Sequence, residues 1–178
     1  SAYLGIFKKS ALTRVNGYDE AIIRGEDWDL AQRIKKTGGL VWFSPELRVT
    51  YWPRGRFSNL VKQFYSTGIW RGDLTKRDIR GASTRYFAPP ILVLGLALGF
   101  ICLLLGQIIG ILPWAIYLAA IFALAVTASG LSLKSRIALA IALPTMHLSW
   151  GVGFIKGFLN GAGTTIDKGR LAGKAAGK

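Results

Sequence analysis

Residues 88–133 contain no Asp, Glu, Lys, Arg or His. Such a run is hard to fold in water, because a helix packed on a soluble core keeps a polar face towards solvent. About 20 consecutive apolar residues cross the hydrocarbon core of a bilayer, so this run is long enough for two crossings. Gly110-Ile111-Leu112-Pro113 is a turn signal between them, with Trp114 and Tyr117 suited to the interface. After a basic step at Lys134 and Arg136, Ile137–Ile155 is again free of Asp, Glu, Lys and Arg. Ile137–Phe158 is a third candidate, weakened by Pro144, Gly151, Gly153 and Gly157. The pattern predicts a transmembrane region over 88–159 with two or three helices, at about 89–110, 113–130 and 137–158.

The rest of the chain is strongly basic. Residues 1–87 hold 16 of the 23 Lys and Arg and eight of the nine acids, in 178 residues of formal net charge +14. Basic segments flanking membrane helices stay on the cytoplasmic side. A multi-pass protein of the plasma membrane is therefore expected, with its soluble part in the cytoplasm. Two crossings would return the chain to that side at Lys134 and Arg136. A third would carry Lys168, Arg170, Lys174 and Lys178 outside, against the same rule, and the sequence leaves that conflict open. The Gly-, Ala- and Lys-rich stretch 160–178 lacks apolar periodicity and is expected to be a disordered basic tail.

Single residues narrow the reading further. One cysteine, Cys102, allows no internal disulfide. His147 has no acidic or cysteine companion in its apolar segment, so helix packing or an interfacial position suits it better than metal binding. The net charge would permit phosphate contacts, but the apolar spans and the lack of any nucleic-acid motif argue against that partner. Membrane lipid is expected as a partner and nucleic acid is not. The chain starts in mid-pattern without an initiator Met, so it is read as the C-terminal portion of a longer protein.

Within 1–87, Ser10 is placed to cap a short helix over Ala11–Val15, and Asn16-Gly17 marks a turn. Gly25-Glu26-Asp27-Trp28-Asp29-Leu30 then sets three carboxylates around one tryptophan where a polar loop enters an amphipathic helix. Two readings stand side by side: a helix start, since acids favour the first turn, or a site that uses a carboxylate. Lys35-Lys36 before Gly38-Gly39 is a helix stop. Leu40–Phe43 and Leu47–Trp52 read as strands on either side of a Ser44-Pro45-Glu46 turn. Phe57, Leu60, Val61, Phe64 and Tyr65 recur at helical spacing, with Lys62 and Arg71 on other faces. An amphipathic interfacial helix over about 57–71 follows, with an ordinary surface helix as the alternative.

The order of these elements resembles the acceptor-side half of the family-2 glycosyltransferases, inverting sugar transferases with a GT-A fold. Leu4-Gly5-Ile6-Phe7-Lys8-Lys9-Ser10-Ala11-Leu12 is similar to the family's glycine and basic-pair segment. Val15-Asn16-Gly17-Tyr18-Asp19-Glu20 is similar to its glycine–aromatic–acid turn, and Glu26-Asp27 falls at its Glu-Asp motif. Pro53-Arg54-Gly55, Gln63, Gly68, Trp70-Arg71 and Ala88-Pro89-Pro90 suit the membrane-attached bacterial members of the ExoA-like group, which build exopolysaccharide or cell-envelope glycans. The likeness covers roughly residues 2–158 and rests on order and spacing more than on one motif. Two departures stand out. Tyr51 occupies a region where many relatives carry His. Gln63 and Trp70-Arg71 are too far apart for the Gln-x-x-Arg-Trp motif of processive synthases, which disfavours a polymerase.

The resemblance implies an α/β fold, a partial GT-A domain over 1–87, followed by the helical membrane region. It implies transfer from a nucleotide-sugar donor to a lipid-linked or glycan acceptor, with Asp27 as the general base that takes the acceptor hydroxyl's proton. Gly25, Glu26 and Trp28 would shape the acceptor pocket, Arg54 would meet a diphosphate, and Gln63, Trp70 and Arg71 would line the acceptor side near the membrane. Asp29 is read as a helix-start residue, and Lys8 and Lys9 as diphosphate contacts or solvated charge. Donor chemistry calls for Mg or Mn on an Asp-x-Asp motif upstream. The chain offers only Asp27-Trp28-Asp29 at that spacing, so no metal or cofactor is expected in this segment, and the segment is expected to be inactive alone. A noncatalytic membrane anchor or scaffold with a basic cytoplasmic face is the competing class.

Overall fold

The computed structural model describes residues 6–22, 24–42, 44–46, 48, 50 and 57–163. Among them every regular element is helical. The chain divides into two compact units, Ser1–Trp52 with Ala162–Lys178, and Pro53–Gly161.

The first unit holds α1 (Lys9–Arg14) and α2 (Glu26–Lys36). Lys8, not Ser10, stands at the N-cap of α1, and no side chain caps that helix. Helix α2 buries one stripe, Leu30 and Ile34, as its spacing foretold. It stops at a Schellman turn. Gly38 adopts φ 78°, the Gly39 N–H donates to the Ile34 carbonyl at 2.9 Å, and the Gly38 N–H donates to that of Lys35 at 3.0 Å. Two orphan carbonyls of the helix end are thereby satisfied. A Cβ on Gly38 would meet nothing within 4 Å, so its cost is conformational alone. Gly38→Ala is expected to destabilise α2 by about 1 kcal/mol, read as faster hydrogen exchange of the last α2 amides.

The expected α/β architecture is overturned. Leu40, Val41 and Trp42 form no strand, and Leu40 is 91% and Trp42 88% exposed. Only the turn at Pro45-Glu46 forms, where the Ser44 hydroxyl donates to the Glu46 carboxylate. Phe43, Leu47, Val49 and residues 51–56 lie outside the described residues. The physical reason is that a strand has no hydrogen bonds of its own. It needs a neighbouring ladder, and apolar content cannot supply one. No described segment pairs with 40–42, so these residues do not form part of a GT-A sheet.

The second unit holds α3 (Phe57–Arg77), a 3-10 turn (Thr84–Phe87), α4 (Ala88–Leu104), a second 3-10 turn (Ile108–Ile111), α5 (Leu112–Thr127) and α6 (Leu133–Asn160). Thr84–Leu104, Ile108–Thr127 and Leu133–Asn160 are each long and apolar enough to cross a bilayer. Helix α6 runs unbroken through Pro144. Arg136 secures the α5–α6 connection by donating to the carbonyls of Leu131, Ala125 and Val126.

Glycine brings α3 and α6 together. A Cβ on Gly68 or Gly72 of α3 would strike the backbone of Trp150, Phe154 or Phe158 of α6. A Cβ on Gly153 or Gly157 of α6 would strike the backbone of Tyr65 or Ile69 of α3. Both helices thus carry a Gly-x-x-x-Gly face, the spacing that lets helix backbones approach closely. Contacts advance in the same order on both partners, so the two helices run parallel. Trp150, Phe154 and Phe158 stack along α6, with Phe87 edge-on to Phe154 at 5.7 Å. Of the glycines that weaken Ile137–Phe158 as a lone membrane helix, Gly153 and Gly157 are the surface on which α3 rests, and Gly151 faces Pro89 and Val93 of α4.

Candidate functional site

The acidic turn opens α2. Gly25 is its N-cap at φ 81°, a left-handed conformation that favours glycine, and it has no side chain to cap the exposed N–H groups. Glu26, Asp27 and Asp29 fill the first turn, where the helix dipole favours negative charge. Gly25, Glu26, Asp27 and Trp28 are all half-buried. The Asp27 carboxylate accepts the Trp28 backbone N–H at 2.8 Å.

Asp29 has a different task. Its carboxylate accepts Arg33 Nε at 2.7 Å, one helical turn along. The same guanidinium donates to the carbonyls of Val15, at 2.6 Å, and Gly17, at 2.8 Å. Those carbonyls flank Asn16, the one non-glycine residue at positive φ among the described residues, with φ 56°. Arg33 thus ties the Val15-Asn16-Gly17 turn to α2 beside the acidic turn, and Tyr18 follows edge-on to Phe7 at 6.4 Å. Sequence reading gave Arg33 no such role, though a base four residues after an acid on a helix is the signal for it. Arg33→Met leaves Asp29 and two carbonyls without this donor. It is expected to cost about 2 kcal/mol and to speed proteolysis at residues 14–18.

Asp27-Trp28-Asp29 does not fit a divalent cation, despite its Asp-x-Asp spacing. Residues two apart on a helix point to different faces, and Asp29 is engaged by Arg33. Lys8 and Lys9, the basic pair, are exposed.

Gln63, Trp70 and Arg71 belong to α3 in the second unit, and Arg54 lies outside the described residues. Gln63 is half-buried. Trp70 is 2% exposed, and its Nε1 has no hydrogen-bond partner among the described residues. The Arg71 guanidinium lies over the Tyr86 ring, 4.6 Å from its centroid. Tyr86 went unread in the sequence, because nothing local links residues 15 apart across a helix end. Asp73, also buried, pairs with Arg77 at 2.7 Å, and Lys76 donates to the Leu159 carbonyl at 3.1 Å, fastening α3 to the end of α6.

The succinoglycan biosynthesis protein ExoA of Rhizobium meliloti (strain 1021) is 27% identical over 158 residues, 87% of this chain and 47% of that protein. The chain is a relative of ExoA. The likeness to the ExoA-like group, drawn first from residue order, is thereby shown. The chain spans about half the length of ExoA. No family model matches it, and no solved structure matches it significantly.

Proposed function

We propose that this chain is part of a membrane-bound glycosyltransferase of exopolysaccharide or cell-envelope synthesis. The whole protein would move a sugar, with inversion, from a nucleotide-sugar donor to a lipid-linked or polysaccharide acceptor. The similarity to ExoA over most of the chain carries this reading. Three apolar helices support a multi-pass plasma-membrane protein, and the basic residues of 1–87 favour placing that part in the cytoplasm.

In this reading Asp27 is the base. An inverting transfer needs a carboxylate to take the acceptor hydroxyl's proton as the oxygen attacks the anomeric carbon. Asp29 pairs with Arg33, and the likeness at Glu26-Asp27 assigns the base to Asp27. Trp28, beside it and half-buried, offers an apolar face to a sugar ring. Glu26 and Gly25 shape the same turn; in the second unit the likeness assigns Gln63, Arg71 and Arg54 to the acceptor, whereas Trp70, 2% exposed, packs within that unit. No metal role is assigned to Asp27 or Asp29.

The test is transfer by the whole protein in native membranes, with Asp27→Asn compared with the parent at equal abundance. Undiminished turnover would leave the anchor or scaffold reading in its place.

A further inference from the structure

The second unit fixes how often the chain crosses the bilayer. Phe87 lies against Phe154, and the Pro89 carbonyl and Val93 lie against Gly151, so α4 begins near the C-terminal end of α6. Ala125 and Val126, at the end of α5, meet Arg136 in the first turn of α6. Gly151 and Arg136 are about 22 Å apart along the helix at 1.5 Å per residue. The chain therefore leaves one end of α6 at α4 and reaches the other end when α5 finishes. Two complete crossings would have brought it back to the end it left.

We infer that α4 and α5 together make one net crossing of the membrane and that α6 crosses back. Most of the first crossing is made by α5, whose Tyr117 hydroxyl lies 3.1 Å from His147 Nδ1, and the turn between α4 and α5 stays in lipid towards the end where α4 begins. The connection from Arg77 to Ser83 and the end of α6 at Gly161 then lie on one side, and Ala128–Ser132 lies on the other. The inference stands on contacts within the second unit. Only its absolute sense, the connection after α3 in the cytoplasm, rests on the placement proposed above.

Two further observations agree. The α4–α5 turn exposes Leu104, Leu105, Ile108 and Ile109, with Gln107 as its only polar side chain. Four bare aliphatic residues at a bend suit lipid and not water. Four backbone N–H groups at that bend bond internally: Leu105 N–H to Ile101, Gly106 N–H to Leu103, Gln107 N–H to Cys102 and Gly110 N–H to Gln107, and such internal pairing suits a lipid setting. The α5–α6 turn is of the opposite kind, with Ser129, Ser132 and Lys134. This path also removes the charge conflict. The chain then leaves α6 on the side from which α4 starts, so the basic sequence after Gly161 sets out from that side, and Lys134 and Arg136 stand at the other.

The test is cysteine labelling of the whole protein in intact spheroplasts with a membrane-impermeant maleimide. Cys102→Ser and replacement of any other cysteine provide the background. Single cysteines are then placed by Ser129→Cys, Gln107→Cys, Arg80→Cys and Ala172→Cys, with labelling after denaturation as the measure of total protein. Leu131→Cys repeats the loop measurement should Ser129→Cys fail to accumulate. The expected pattern is labelling of Ser129→Cys in intact cells, of Arg80→Cys and Ala172→Cys only after permeabilisation, and none of Gln107→Cys in intact cells. Labelling of Gln107→Cys and Ala172→Cys in intact cells, with Ser129→Cys protected, would overturn the inference in favour of three crossings. Any pattern that separates Arg80→Cys from Ala172→Cys overturns it too. An inverted pattern, with both of these labelled and the loop protected, would keep the single α4–α5 crossing and reject the cytoplasmic placement instead.

Discussion

Asp27→Asn is expected to lower sugar transfer by the whole protein about 10²- to 10⁴-fold, the usual loss when a general base is removed. The amide matches the carboxylate in size and can still accept the Trp28 N–H, now made at 2.8 Å. What it cannot do is hold the acceptor's proton. Turnover should therefore collapse while acceptor affinity and melting temperature stay near those of the parent. Asp29→Asn is the informative companion. It weakens the pair with Arg33, at 2.7 Å, and exposed or half-exposed helix pairs of this kind contribute about 0.5 kcal/mol. Its effect should fall on stability, with transfer reduced far less. Equal loss in both variants would mean that the acidic turn matters as a helix start, and the assignment of Asp27 would fail.

How much of this was readable in advance depends on the range of each interaction. Helix α2 was legible at both ends, because its first-turn acids and its Gly38-Gly39 stop act within a few residues. The membrane helices were legible from the uncharged run, since lipid demands apolar side chains wherever they lie. The strand expected at 40–42 was misread because a short apolar run describes only half of a sheet, and the pairing half is not local; most of 47–52 lies outside the described residues. Arg33 and Tyr86 were passed over for a similar reason: their partners, Val15, Gly17 and Arg71, sit on other turns or elements. The acidic turn itself could be located in the sequence. Which acid pairs with a base could not, and the structure shows Asp29 paired with Arg33.

The glycines of α6 reverse their meaning once α3 is in place, and this leads to the largest expected change in stability. Gly157→Val puts a branched side chain where the Ile69 carbonyl and its carbon already stand, the latter 2.6 Å from an ideal Cβ. These are backbone atoms of a helix, so no rotamer change can make room. The helices must separate, and separation uncovers the reciprocal contact at Gly68, Gly72 and Gly153 as well. Overpacking of a close contact costs about 1–3 kcal/mol, occasionally more, and a parallel pair with four interlocked glycines should lie at the upper end. Gly95→Ala is the control, since a Cβ there meets nothing within 4 Å; alanine is also the better helix former by about 1 kcal/mol. Melting of the whole protein in detergent should show a marked drop for Gly157→Val and little change or a slight gain for Gly95→Ala. Proteolysis within 57–77 should accelerate in the first variant alone, because α3 has lost its platform. If Gly157→Val melts like the parent and α3 stays protected, the two helices do not meet through their glycine faces.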